Sequence, residues 1–189
     1  MNSLTLLAIA VVVVVFWIYS IYTSVIRKRN KAQEAFSSID VQLKKRYDLI
    51  LNILTIAQKY MEHERGIMEE VTKLRTQVMG LSSNFENIDR KIALDGEIAK
   101  KMGQIMVAVE NYPQLKADQT MITAMQTYNE VEEHIAAARR FYNSAANELK
   151  NAVEIFPSSL FARMLNIKTV DFIKATEQER QQIKASDFL

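Results

Sequence analysis

From Met1 to Ile26 the chain carries no charged side chain, and Arg27, Lys28, Arg29 and Lys31 follow at once. An uncharged run this long exceeds the roughly 20 apolar residues that carry a helix across a bilayer core. A cleaved leader would need a basic start, a shorter apolar region and a small-residue cleavage site. Here the start is Met1-Asn2-Ser3, and the run ends in large residues, Tyr19, Ile21 and Tyr22. Trp17, Tyr19 and Tyr22 cluster towards the basic end, where amphipathic rings favour the headgroup zone. The expectation is a retained transmembrane helix. Basic residues beside a span stay on the cytoplasmic side, so the N-terminus should face outward and the rest of the chain should be cytoplasmic. The same cluster of four suits anionic lipid headgroups. With a net charge of only +2 and no second basic block, nucleic acid is not expected as a partner.

The remaining stretch of about 160 residues is long enough for one domain with its own core. The chain has no cysteine, which removes disulfides, thiolate metal sites and thiol nucleophiles. Four glycines and two prolines are too few punctuating residues for a sheet built on tight turns. The soluble part therefore reads as all-α.

Helical stripes give its organisation. Phe36, Ile39, Leu43, Tyr47, Ile50, Leu54, Ala57 and Met61 recur in steps of three and four, and Met68, Val71, Leu74 and Val78 continue them. One helix is expected from the membrane to about Met79, with Gly66 too weak a breaker to stop it. Gly80-Leu81-Ser82 ends it, and Ser83 with Glu86 has capping-box spacing. A second helix carries Ile88, Ile92, Ala99, Met102, Met106 and Val109 and stops near Tyr112, before Pro113. Asp118 is a credible N-cap for a third helix running to about Phe156. At seven-residue intervals that helix sets large residues (Met121, Tyr128, Ile135, Tyr142, Leu149, Phe156) beside small ones (Ala124, Val131, Ala138, Ala145, Ala152). Such a seam admits a close neighbour, in a bundle core or between protomers.

Beyond Pro157, Ser158-Ser159 can cap a turn bearing Leu160, Phe161, Met164 and Leu165, and Thr176 with Glu179 has capping-box spacing again. The expected architecture is thus a transmembrane helix followed by a long-helix antiparallel up-and-down bundle, with three long helices plus a short C-terminal helix. Its segments are 1–29 (anchor and basic flank), 30–157 (bundle) and 158–189 (short helices or a tail on the bundle). The second helix is much shorter than the soluble part of the first. Phe36, Ile39 and Leu43 are therefore expected to need cover from the tail or from another protomer. With Ala138 and Ala145 they form a candidate oligomer seam.

Candidate chemistry is sparse. His63-Glu64 opens like a zinc-protease helix motif, but Ile67 stands where the second histidine should be. The other histidine, His134, lies on a different helix. The glycines are scattered singly, and no serine has a histidine and carboxylate placed to activate it. No catalytic, cofactor or metal residue is assigned, and no enzyme activity is expected. Asp40 and Asp48 beside the first stripe, and Arg139 and Arg140 on the third helix, are expected to fix helix register as ion pairs.

Several strings together resemble one family. Val41-Gln42-Leu43-Lys44-Lys45-Arg46-Tyr47-Asp48-Leu49-Ile50 followed by Tyr60-Met61-Glu62-His63-Glu64 resembles the first-helix signature of the LemA family. So do Glu110-Asn111-Tyr112-Pro113-Gln114-Leu115-Lys116-Ala117 and Ile135-Ala136-Ala137-Ala138-Arg139-Arg140-Phe141-Tyr142-Asn143, with Phe156-Pro157 beyond. Leu51 departs from the pattern, where the family commonly has proline. The resemblance implies a bacterial protein of the cytoplasmic (inner) membrane with a single N-terminal anchor and a cytoplasmic helical bundle. It brings no established activity. Some relatives are linked to membrane-embedded metalloproteases, and one is similar to a magnetosome membrane protein implicated in shaping vesicles. The function expected is a self-associating, non-enzymatic scaffold at the membrane that presents its bundle to partner proteins. The alternatives are a membrane-remodelling polymer or an adaptor of a membrane protease.

Overall fold

The computed structural model describes residues 3–82 and 87–173. Among these every regular element is helical: α1 Ser3–Ala57, α2 Arg65–Met79, α3 Ile88–Val109, α4 Pro113–Lys116, α5 Gln119–Glu154 and α6 Ser158–Met164. The caps expected at Ser83–Glu86 and Thr176–Glu179 lie outside the described residues.

α1 holds an 18-residue window of mean hydropathy 2.7, none of it buried, which is long and apolar enough to cross a membrane. The helix does not continue to Met79 as the stripe predicts; it ends at Ala57. Lys59 N–H donates to the Ile56 carbonyl and Tyr60 N–H to that of Ala57, tightening the last turn into i→i+3 bonds that close a helix. The chain then turns through residues 58–64 into α2. Gly66 is not the cause, since it lies within α2. Packing decides the break: Met68, Val71 and Val78 on α2 are buried, each worth roughly 1.5–3 kcal/mol. A straight continuation would forfeit that burial for a few backbone hydrogen bonds.

Two compact units emerge. One comprises Asp40–Ala136 and 173–189, the other Met1–Ile39 and Ala137–Phe172. In the first, Arg75 of α2 reaches Tyr47 and Asp48 of α1, so α2 folds back antiparallel to α1. Lys91 and Asp95 of α3 meet Asp40 and Arg46, so α3 runs parallel to α1. Tyr128 and Asp118, from α5 and just before it, meet Arg46 and Tyr60, which makes α5 antiparallel to α1. Pro113 sits in the first turn of α4, where its missing N–H costs nothing. Asp118 caps α5 as expected: its Oδ1 accepts from the N–H groups of Thr120 (2.8 Å) and Met121 (3.1 Å).

The second unit pairs the first part of α1 with the last part of α5. Its buried residues are mostly small, with Ala32 and Ala35 on α1 and Ala138, Ala145, Ala146 and Ala152 on α5, which permits close helix approach. Lys31 Nζ bonds Glu148 Oε1 at 2.8 Å. After α6 the chain returns along α5, where Tyr142 Oη donates to the Asp171 carbonyl at 3.1 Å.

Phe36, Ile39, Leu43, Ala138 and Ala145, the candidate seam between chains, are all buried within one chain. Of the two covers expected, the tail or another protomer, the chain's own residues supply one. For Phe36 and Ile39 the cover lies in their own unit, which Ala137–Phe172 completes. Phe156, expected on the large-residue stripe, is exposed, because α5 ends before it. α6 forms without the expected serine cap; Ser158 Oγ instead donates back to the Ile155 carbonyl at 2.9 Å.

Candidate functional site

The most concentrated polar chemistry lies in the unit of residues 40–136, around Arg46. This guanidinium is 1% exposed and meets groups from two further helices. Its Nη1 donates to both oxygens of Asp95, at 3.1 and 3.0 Å. Nε and Nη2 donate to Tyr128 Oη at 3.2 and 3.0 Å, while the guanidinium carbon lies 5.5 Å from the centre of the Tyr128 ring. Nε also stands 2.7 Å from Glu132 Oε1, a close ionic contact. Tyr47 Oη donates to Asp95 Oδ1 at 3.2 Å. Nearby, Lys91 Nζ bonds Asp40 Oδ1 at 2.6 Å.

Electrostatics hold these charges in place. Burial opposes the charge on Arg46, but Asp95, Tyr128 and Glu132 outweigh it and raise its pKa further. Burial, then Asp95, pushes the Tyr47 hydroxyl well above the ordinary tyrosine range. Burial likewise raises Tyr128, against the pull of Arg46. Both phenols stay protonated as donors. A cleft of about 310 Å³ lined by Arg46, Ala99, Met102, Gly103, Tyr128 and Glu132 opens beside the cluster. The groups facing it are already committed to one another. One guanidinium nitrogen donates to both Asp95 oxygens, the phenols stay neutral, and the Glu132 carboxylate is held against Nε. The arrangement ties α1, α3 and α5 in register, because the one guanidinium bonds partners on both other helices.

The carboxylates singled out in the sequence do form interhelical pairs. Asp40 pairs with Lys91 (2.6 Å) and Asp48 with Arg75 (3.2 Å). Arg139 and Arg140 lie on α5, Arg139 half-buried and Arg140 exposed. Sequence reasoning missed Arg46, Asp95 and Lys91 because it counted only apolar positions on each stripe. The signal was present, since Arg46 stands three residues after Leu43 and four before Ile50, on the buried face itself. Glu64, of the zinc-like string, accepts from Tyr112 Oη at 2.6 Å, and His63 and His134 are exposed. Among the described residues no cluster of three or more His, Cys, Asp or Glu is placed to hold a metal ion.

The second candidate is the basic flank, in the other unit. Arg27 and Arg29 are exposed, and Lys28 and Lys31 are half-buried. A cleft of about 530 Å³ runs beside α1, lined by Phe16, Tyr19, Ser20, Thr23, Ser24, Arg27, Lys28, Lys31 and Glu148. It joins aromatic, hydroxyl and cationic groups along one helix face.

The chain is 24% identical to Protein LemA of Metamycoplasma hominis over 163 residues, covering 85% of this chain and 72% of that protein. It is 21% identical to Magnetosome protein MamQ 2 of Paramagnetospirillum magneticum (89% and 71% covered) and to Magnetosome protein MamQ of Magnetospirillum gryphiswaldense (88% and 71%). The LemA family model matches residues 35–187, most of the chain beyond the apolar segment, and the protein belongs to the LemA family.

Proposed function

We propose that this protein is a single-pass, membrane-anchored helical scaffold without enzymatic activity, displaying its helical domain to partner proteins on the cytoplasmic face of a bacterial inner membrane. One observation carries this: α1 is a single helix whose first part is apolar and wholly exposed, while its later part is built into the folded core. The span and the domain are thus one covalent element. The Arg46 cluster supports a structural role, because its bonds and ion pairs tie α1, α3 and α5 together. The chain has no cysteine, so Ser82→Cys gives a single labelling site on an exposed turn. A membrane-impermeant maleimide should leave it unlabelled in intact cells and label it after lysis. Labelling in intact cells would place the domain outside and reject the orientation.

A second reading, membrane remodelling, is favoured by the likeness to magnetosome proteins over nearly nine-tenths of the chain. Reconstituted at rising density in vesicles, a remodelling protein narrows or tubulates them. Vesicles of unchanged diameter would leave the scaffold.

A further inference from the structure

The end of α5 and the whole of α6 expose apolar side chains that a water-facing domain has reason to bury. Phe156 is 78% and Met164 75% exposed, and Ile155 and Leu160 are exposed too. Leu160 and Met164 stand four residues apart on α6, the spacing of one helix face, with Ile155 and Phe156 in the turn that leads into it. Ala162, by contrast, is fully buried, and Ile167 is buried after it. After α6 the chain returns along α5: Tyr142 Oη bonds the Asp171 carbonyl, and Lys150 Nζ lies 5.8 Å from the centre of the Phe172 ring.

Two independent observations give the level of this face. The Lys31–Glu148 bond of 2.8 Å sets the antiparallel register of α1 and α5 within their unit. Seven residues on from Glu148 and seven back from Lys31 bring Ile155 level with Ser24, about 10 Å towards the apolar end of α1. Burial agrees. Ser3 to Ser20 are exposed without exception, Ile21 and Thr23 are half-buried, and Val25 is fully buried. The chain therefore covers α1 only from about Ile21. That is the Tyr19–Arg27 boundary, where rings and basic groups meet the headgroup zone.

We propose, resting on α1 as a span, that α6 with Ile155 and Phe156 is an interfacial foot. Phe156, Leu160 and Met164 enter the boundary between headgroups and acyl chains of the same bilayer, beside the span. Exposed Arg163 and Arg27 stay among the lipid phosphates, the division of an interfacial helix between an apolar and a basic face. The occupant is lipid because an anchored chain holds this face at the bilayer surface permanently. Any soluble partner would have to displace that contact.

The sequence makes the test clean, with no cysteine and a single tryptophan, Trp17, inside the apolar run. Full-length Phe156→Cys, Met164→Cys and Asn147→Cys, each carrying an environment-sensitive fluorophore, are reconstituted at high lipid-to-protein ratio in phosphatidylcholine–phosphatidylglycerol vesicles. Lipids spin-labelled high on the acyl chain should quench positions 156 and 164 several-fold more than the exposed position 147, with a blue-shifted emission. Trp17, quenched by brominated lipids in the unlabelled protein, reports the span separately. Positions 156 and 164 matching 147 while Trp17 is quenched would overturn the foot and leave the anchor standing. Unquenched Trp17 would overturn both. A blue shift that fades as lipid dilutes the protein would mean that a second copy covers the face, which also overturns the foot.

Discussion

Asp95→Ala leaves the Arg46 guanidinium buried without the carboxylate that takes its two Nη1 bonds, and breaking a buried pair on one side costs about 3–5 kcal/mol. Asp48→Ala breaks a pair whose carboxylate is 58% exposed, worth about 0–1 kcal/mol. Thermal unfolding of the full chain in mild detergent should separate the two variants by several degrees at least. Equal melting temperatures would show that the Arg46 cluster does not hold the helices. Alkali probes the same cluster. The folded state keeps the Tyr47 and Tyr128 protons above the ordinary pKa of about 10, whereas the unfolded chain releases them there. Stability from these groups is therefore complete below about pH 10 and falls as pH rises beyond it, by about 1.4 kcal/mol per pH unit for each tyrosine. Tyr47→Phe should lower stability at neutral pH through its lost bond to Asp95, yet flatten the decline above pH 10. An unchanged slope would show that Tyr47 ionises as freely in the fold as outside it. The sequence alone pointed to Asp40 and Asp48, which flank the stripe. The deeper residues were hidden by their polarity: on a buried face, a charged side chain looks like an interruption until its partners on other helices are known.

The stripes themselves were legible, and every apolar position read off the first stripe from Phe36 to Met61 is buried. What periodicity could not show is where a helix bends back, because the same three-and-four spacing serves a straight helix and a hairpin equally well. Residues 58–64 contain no proline or glycine, so the turn there answers to packing rather than to a local breaker. In α3 the apolar count chose Ile92, Ala99 and Met106, while the buried face carries Lys91, Asp95, Ile98 and Ile105. Two substitutions test the packed helices. No atom lies within 4 Å of the position a Cβ would take at Gly96, so Gly96→Ala should raise the stability of α3 by about 1 kcal/mol through backbone entropy alone. A destabilised variant in chemical denaturation would mean that the space is needed. At Ala145, fully buried on α5, leucine has no room and should cost about 1–3 kcal/mol. Were that residue a contact between chains, the particle mass would fall at unchanged melting temperature instead.

Within one chain, Phe36, Ile39, Leu43, Ala138 and Ala145 are already covered, so the geometric ground for self-association is gone. An apolar stripe requires a second protomer only if its own chain leaves it in water. The anchor, meanwhile, confines every copy to one surface, where even a weak interface would be reinforced by proximity. Detergent removes that reinforcement, which makes the particle mass in detergent informative. Light scattering of the full chain in mild detergent should give a protein mass of one chain, close to 21.7 kDa, independent of concentration. Under the proposed scaffold reading, that mass would mean partners are engaged singly, through faces such as those around Val107 and Phe141, both exposed large side chains. A closed oligomer would instead place a seam on those open faces, and Val107→Glu or Phe141→Glu should then dissolve it without lowering the melting temperature. In that case association would belong to the exposed flanks of the helices, and the buried alanine seam would still be core.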